Sequence, residues 1–293
     1  MNPWIEAMRP RTLPVSVAGV LAGTACAIIH GLQNVIPAVC CLLFALLAQI
    51  ASNFANEYFD YRAGLDRKGR AGFRRGVTEG DISPAAMRRA TFLTLLLAAV
   101  PGCALIWWGG WWLIAVGVLV AIFALAYSAG PYPLSHHGLG DVAVVVFFGL
   151  VPVGFTAWLA TASAAVLPLA LAIGAGVGLL AANVLIVNNY RDMDDDKAVG
   201  KHTSVVLFGR KAMARIYLAG SIAGLLLLCA PAMTVRHWMV APLIMIVPAI
   251  RNWKRLLRHS GSQLNDDLRR TALLLLQATL LLVAESLASL ATV

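Results

Sequence analysis

Charge is what this sequence has least of. Only 13% of its 293 residues are Asp, Glu, Lys or Arg, and just 14 are acids. Soluble domains carry about 25% charged residues, so an ordinary water-soluble fold is excluded. Cysteine is also scarce: Cys26, Cys40, Cys41, Cys103 and Cys229 all fall inside apolar runs, without metal-ligand spacing. That pattern excludes a zinc centre or a disulfide framework and leaves small apolar filler. No low-complexity tail or linker-like stretch breaks the chain, so one membrane domain over 1–293 is expected. The opening "MNPWIEAMRPRTLP" lacks the basic start, apolar core and small-residue cleavage site of a signal peptide. The first apolar helix is therefore expected to act as the insertion signal.

What fills the chain instead is apolar sequence, 60% of it. A helix needs about 20 apolar residues to cross a hydrocarbon core about 30 Å thick. Segments of this kind are read at 12–30, 35–58, 90–108, 111–128, 139–161, 165–190, 213–232, 238–250 and 271–291. This predicts an all-α polytopic membrane protein of about nine spans, the eighth being the shortest. Basic residues favour the cytoplasmic side. With the N-terminus inside, the inner segments are 1–11, 59–89, 129–138, 191–212 and 251–270, and nearly every Arg and Lys falls in them or at their borders. Arg236 is the exception, in an outer loop. An odd number of spans then places the C-terminus outside. The net charge of +9 is thus a topology signal spread over short loops, not the basic patch of a nucleic-acid-binding domain. "WWGGWW" (107–112) suits an outer interfacial turn, with indoles at headgroup level and glycines reversing the chain.

The few acids are not scattered. "QIASNFANEYFDYRAGLDRKGR" (49–70) places Asn53, Asn56, Glu57 and Asp60 at the end of an apolar run, with Asp66 six residues on. Asn56 and Asp60, four apart, share a helix face. Asp66 joins them only if the helix ends and the chain curls back, which Gly64 permits. "NVLIVNNYRDMDDDKAVGKHT" (183–203) repeats the pattern: Asn188, Asp192 and Asp196 form one i, i+4, i+8 stripe, while Asp194 and Asp195 point elsewhere.

Both clusters fall on the same expected side, each followed by basic residues. Two facing groups of hard oxygen ligands suit Mg²⁺, which keeps several waters and is shared with substrate phosphates. Nearby Arg and Lys suit a diphosphate. The chemistry implied is departure of diphosphate from a substrate whose tail lies in lipid. Two other readings stay open here: solvated charges at helix ends, and ion-coupled transport, which uses acids within the membrane. Asp141 and Glu285 are the acids placed for transport, and Glu285 reads better as a packing or lumen-facing residue.

These motifs resemble the UbiA superfamily of intramembrane aromatic prenyltransferases, and within it the 1,4-dihydroxy-2-naphthoate branch. "WIEAMRPRTLPVSVAG" (4–19), "NEYFDYRAGLD" (56–66), "YSAGPYPLSHHGLGD" (127–141) and "NNYRDMDDDKAVGKHTSVVLFG" (188–209) carry the likeness, the last being the most specific. Glu57 stands where an Asp is expected, and Phe73 where a Pro is common. His136 and His137, read as loop residues, occupy a loop without Lys, which leans away from the 4-hydroxybenzoate branch.

The resemblance implies helices around a central cavity, with a cytoplasmic mouth and an opening to lipid. It implies transfer of a polyprenyl group from polyprenyl diphosphate to 1,4-dihydroxy-2-naphthoate, with decarboxylation; no obligate protein partner is inferred. Asn56, Asp60 and Asp66 would hold one Mg²⁺; Asn188, Asp192 and Asp196 a second. Arg70, Arg75, Lys201 and Arg9 become the expected diphosphate or anion contacts. Tyr127 is the expected ring to stabilise an allylic cation. An acceptor such as 4-hydroxybenzoate is the alternative within the same superfamily.

Overall fold

The computed structural model describes residues 2–69, 71–234 and 238–291, and it is all-helical, with no strand among them. Arg70 and Arg236 lie outside the described residues. The helices in chain order are α1 (Pro3–Met8), α2 (Pro14–His30), α3 (Ile36–Arg62), α4 (Gly76–Glu79), α5 (Pro84–Ala104), α6 (Ile106–Gly109) and α7 (Leu113–Ala126). They continue with α8 (Gly140–Val144), α9 (Val151–Thr161), α10 (Leu167–Ala198), α11 (Ser204–Leu228), α12 (Ala230–Thr234), α13 (Ile246–Leu256) and α14 (Leu264–Leu290).

Among the described residues six helical stretches are long and apolar enough to cross a membrane: 36–62, 84–109, 140–161, 164–198, 204–228 and 261–290. Two further apolar helices, α2 and α7, are shorter. The expected eighth span, 238–250, is a 3₁₀ turn (Ala241–Met245) leading into the eleven-residue α13. Glu285 explains that turn: its Oε1 accepts a hydrogen bond from the Ala241 amide at 2.8 Å. Glu285 is buried at 8% exposure in the last long helix.

Helix ends run past the expected apolar limits because hydropathy follows lipid and the hydrogen-bond ladder does not. α5 begins at Pro84 because Ser83 caps it, its Oγ accepting from the Ala86 amide, with Pro at the first helical position. α11 starts at Ser204 and is broken at Gly209, whose φ is +78°.

α10 is the central rod, with 72% of its most apolar window buried by other helices. A helix apolar on all sides is placed at the centre of a bundle. α5 and α7 are peripheral and turn Leu96, Val100, Val118 and Ile122 outward, at 67, 68, 52 and 53% exposure. These faces form an apolar belt suited to lipid.

Close approach at the centre depends on missing side chains. A β-carbon on Gly178 of α10 would lie 2.7 Å from the Val145 carbonyl oxygen and 2.9 Å from its α-carbon. Val145 opens a π-helical turn (Val145–Leu150) between α8 and α9, the kind of local widening that recurs at functional sites. Gly178→Val is expected to destabilise the protein by about 1–3 kcal/mol, because backbone cannot yield as a side chain does. Thermal unfolding in detergent reads this as a lower midpoint; an unchanged midpoint would mean these helices can part freely.

Candidate active site

The two acidic clusters, about 130 residues apart in sequence, meet at one end of the bundle. On α3, Asn56 and Asp60 fall in the last two turns at 7 and 0% exposure. The helix then stops as Gly64 adopts φ +69°, and the Leu65 amide returns to the Asp60 carbonyl at 2.9 Å. That reversal carries Asp66 back, and its Oδ2 lies 3.4 Å from Arg75 Nε. On α10, Asn188, Asp192 and Asp196 share the face turned to the same cavity. Asp194 and Asp195 face away and pair with Arg210 and Arg67.

Lys201 joins the clusters. Gly200 turns the chain with φ +74°, and the Lys201 amide donates to the Asp196 carbonyl at 2.8 Å. Its Nζ reaches across to Asp60 Oδ2 at 2.7 Å. Arg75 Nη2 stands 3.9 Å from the same oxygen, and His136 Nε2 lies 3.4 Å from Asp60 Oδ1. A buried carboxylate needs such company. Asn56 donates to Asp60 Oδ2 at 3.2 Å and to Ser128 Oγ at 2.8 Å, and accepts from Arg9. Arg9 is held in the left-handed region (φ +55°) after α1, and Asn53 donates to the Met8 carbonyl at 3.0 Å, fixing α1 against α3.

Two adjoining spaces lie here. The first, about 160 Å³, is lined by Arg9, Asn56, Asp60, Arg75, Asn188, Asp192, Asp196 and Lys201, among others. The second, about 330 Å³, is lined almost wholly by apolar side chains of α3, α5, α7 and α9, including Phe44, Ala98, Gly102 and Phe155. Gln49, Ser52, Tyr127, Val144 and Phe148 line both. Tyr127 thus stands where polar space becomes apolar.

A family model described as the UbiA prenyltransferase family matches residues 16–282. The chain belongs to that family. Among its relatives, 1,4-dihydroxy-2-naphthoate octaprenyltransferase of Haemophilus influenzae is 34% identical over 263 residues, covering 85% of this chain and 83% of that protein. The enzyme of the same name from Escherichia coli is 37% identical over 227 residues, covering 75% and 73%. The fold matches a UbiA homologue from Aeropyrum pernix K1 with TM-score 0.69 at 15% identity, over 94% of this chain and 97% of that one. A UbiA homologue from Archaeoglobus fulgidus, solved with DMAPP and Mg²⁺, gives TM-score 0.65 at 15% identity, over 96% and 99%. With six long apolar helices, this UbiA-family chain is an integral membrane protein.

The donor set of this UbiA-family site fits a hard divalent cation. Asp60, Asp192, Asp196, Asn56 and Asn188 offer only oxygen or amide groups to the cavity. Among the described residues no three acids, histidines or cysteines stand close enough to form a metal cage. An ion carried between two half-sites, keeping waters and shared with phosphate, needs none.

Sequence reasoning overlooked several residues of this UbiA-family site. His136 lies in a turn, as a loop residue should, yet its side chain reaches Asp60. His137 is local, stacked on Tyr132 with ring centres 3.6 Å apart. Glu57 accepts from the Val77 amide at 2.9 Å and so seats α4 rather than facing the cavity. Arg191, inside the second motif, takes both carboxylate oxygens of Asp192; in the sequence only its place between Asn188 and Asp192 points to this.

Proposed function

We propose that this protein transfers a polyprenyl group from polyprenyl diphosphate to 1,4-dihydroxy-2-naphthoate, with loss of CO₂ and diphosphate, giving demethylmenaquinol for menaquinone biosynthesis. The observation that carries the reading is the pair of adjoining spaces: a polar one between two acidic clusters, sharing Gln49, Ser52, Tyr127, Val144 and Phe148 with an apolar one twice its volume. A diphosphate head and an isoprenoid tail need that division.

Asn56, Asp60 and Asp66 would hold one Mg²⁺, and Asn188, Asp192 and Asp196 a second. When bound, the metal neutralises charge on the departing diphosphate. Arg75 and Lys201, poised on Asp60, would turn to the diphosphate oxygens, with Arg9 lining the same cavity; Arg70, the further contact expected from the sequence, lies outside the described residues. Tyr127, at the junction, would present its ring to the allylic cation. The ring carbon bearing the acceptor's carboxylate forms the new carbon–carbon bond, and the bond to that carboxylate breaks to release CO₂. The apolar walls keep water from the cation.

The chain would sit in the cytoplasmic membrane as a single domain of nine spans, with α2, α7 and the turn-plus-α13 segment completing the six long ones. The basic loops then put the N-terminus and the acidic mouth in the cytoplasm and the C-terminus outside.

The test uses membranes carrying the protein, labelled polyprenyl diphosphate, Mg²⁺ or EDTA, and either 1,4-dihydroxy-2-naphthoate or 4-hydroxybenzoate. The expected result is Mg²⁺-dependent lipid product with CO₂ release from the naphthoate alone. Product from 4-hydroxybenzoate alone would overturn the acceptor and keep the site; no product from either in folded protein would overturn the reaction.

A further inference from the structure

Arg191 is immediately N-terminal to Asp192 on α10, and side chains one residue apart on a helix do not face each other. Yet Nε donates to Oδ1 and Nη2 to Oδ2 of Asp192, both at 2.7 Å. Something outside the helix must bend the arginine round. Nη1 donates to Asn265 Oδ1 of α14 at 2.8 Å, and Asn265 Nδ2 donates to the Ala71 carbonyl at 3.0 Å. The guanidinium carbon lies 5.5 Å from the centre of the Phe73 ring. Gly72 packs so close that a β-carbon there would stand 2.6 Å from Nη2. Nη2 also donates to Asn188 Oδ1 at 2.8 Å. One buried guanidinium, its side chain 1% exposed, therefore holds two of the three stripe residues, α14 and the loop that runs on to Arg75.

We propose that Arg191 is a positioning residue that aims Asp192 and Asn188 at the divalent cation and couples that aim to the seating of loop 71–75. The proposal rests on the metal assignment above. An ionised carboxylate has about four lone-pair sites; Arg191 takes two, and Asp192 lines the cavity. Only a planar, forked cation serves both oxygens of Asp192, Asn188 and Asn265 together, so Lys is not a substitute. Outer partners of this kind typically alter metal affinity about 10- to 100-fold.

The experiment measures Mn²⁺ binding by electron paramagnetic resonance in detergent-purified protein with inorganic pyrophosphate. Turnover against Mg²⁺ concentration and the thermal midpoint are recorded alongside. Arg191→Lys is expected to weaken Mn²⁺ binding by about 10-fold or more and to raise the Mg²⁺ requirement in parallel. Gly72→Ala, which leaves the acids and Arg191 in place but displaces the guanidinium, is expected to shift both readings in the same direction. Wild-type Mn²⁺ affinity and Mg²⁺ requirement in both variants would overturn the positioning role, whatever the loss of turnover or stability. Absence of Mn²⁺ binding in the unaltered protein would overturn the metal assignment itself and this inference with it.

Discussion

Asp60→Asn is expected to cut turnover by about 10²–10³ or more, since it removes a charge aimed at the reacting groups in a water-poor site. The same substitution at Asp192 is expected to do likewise. Asp60 is the hub of the site, fully buried and met by Lys201, Arg75, His136 and Asn56. Its neutralisation also leaves Lys201 and Arg75 facing an uncharged amide, and breaking a buried ion pair costs about 3–5 kcal/mol. Lost activity alone would therefore be ambiguous. The double change Asp60→Asn with Lys201→Met removes the stranded ammonium and is expected to recover stability but no activity. Turnover and thermal unfolding measured on all three proteins decide the matter. Normal turnover in folded Asp60→Asn or Asp192→Asn protein would sink the metal assignment.

Ala98→Trp is expected to separate donors by length. Ala98 lies on α5 at 2% exposure, in the wall of the apolar space. An indole there would occupy much of a chamber of about 330 Å³, and overpacking forces neighbours off their rotamers. A long polyprenyl diphosphate should lose most of its turnover, while dimethylallyl diphosphate, whose tail barely leaves the polar space, should keep most of its own. Ala98→Leu should give a smaller loss in the same order. Equal losses for long and short donors, with the protein folded, would mean that the tail does not enter this chamber.

Much of the site was legible in the chain. The i, i+4, i+8 stripe of Asn188, Asp192 and Asp196 needs only helical geometry, and α10 presents it to the cavity as expected. The curl that returns Asp66 was readable from Gly64, which takes the left-handed conformation. The apolar runs marked the membrane helices, and the Gly178 contact shows why small residues recur on α10. The short segment at 238–250 was harder, because hydropathy cannot distinguish one continuous helix from a turn followed by a short one.

The sequence by itself determined the solvent, the helices and the two acid stripes, since each depends on neighbours within a few turns along one chain. Tertiary structure alone decided which groups answer those acids. Lys201 crosses to Asp60 over a separation of 141 residues, and Arg191 is bent onto Asp192 by Asn265, 74 residues away. His136 meets Asp60 from another loop. A buried carboxylate must find counter-charge somewhere, but periodicity does not say where. That choice belongs to the packing of α3, α10 and α14, which sets the distances at which charges become partners.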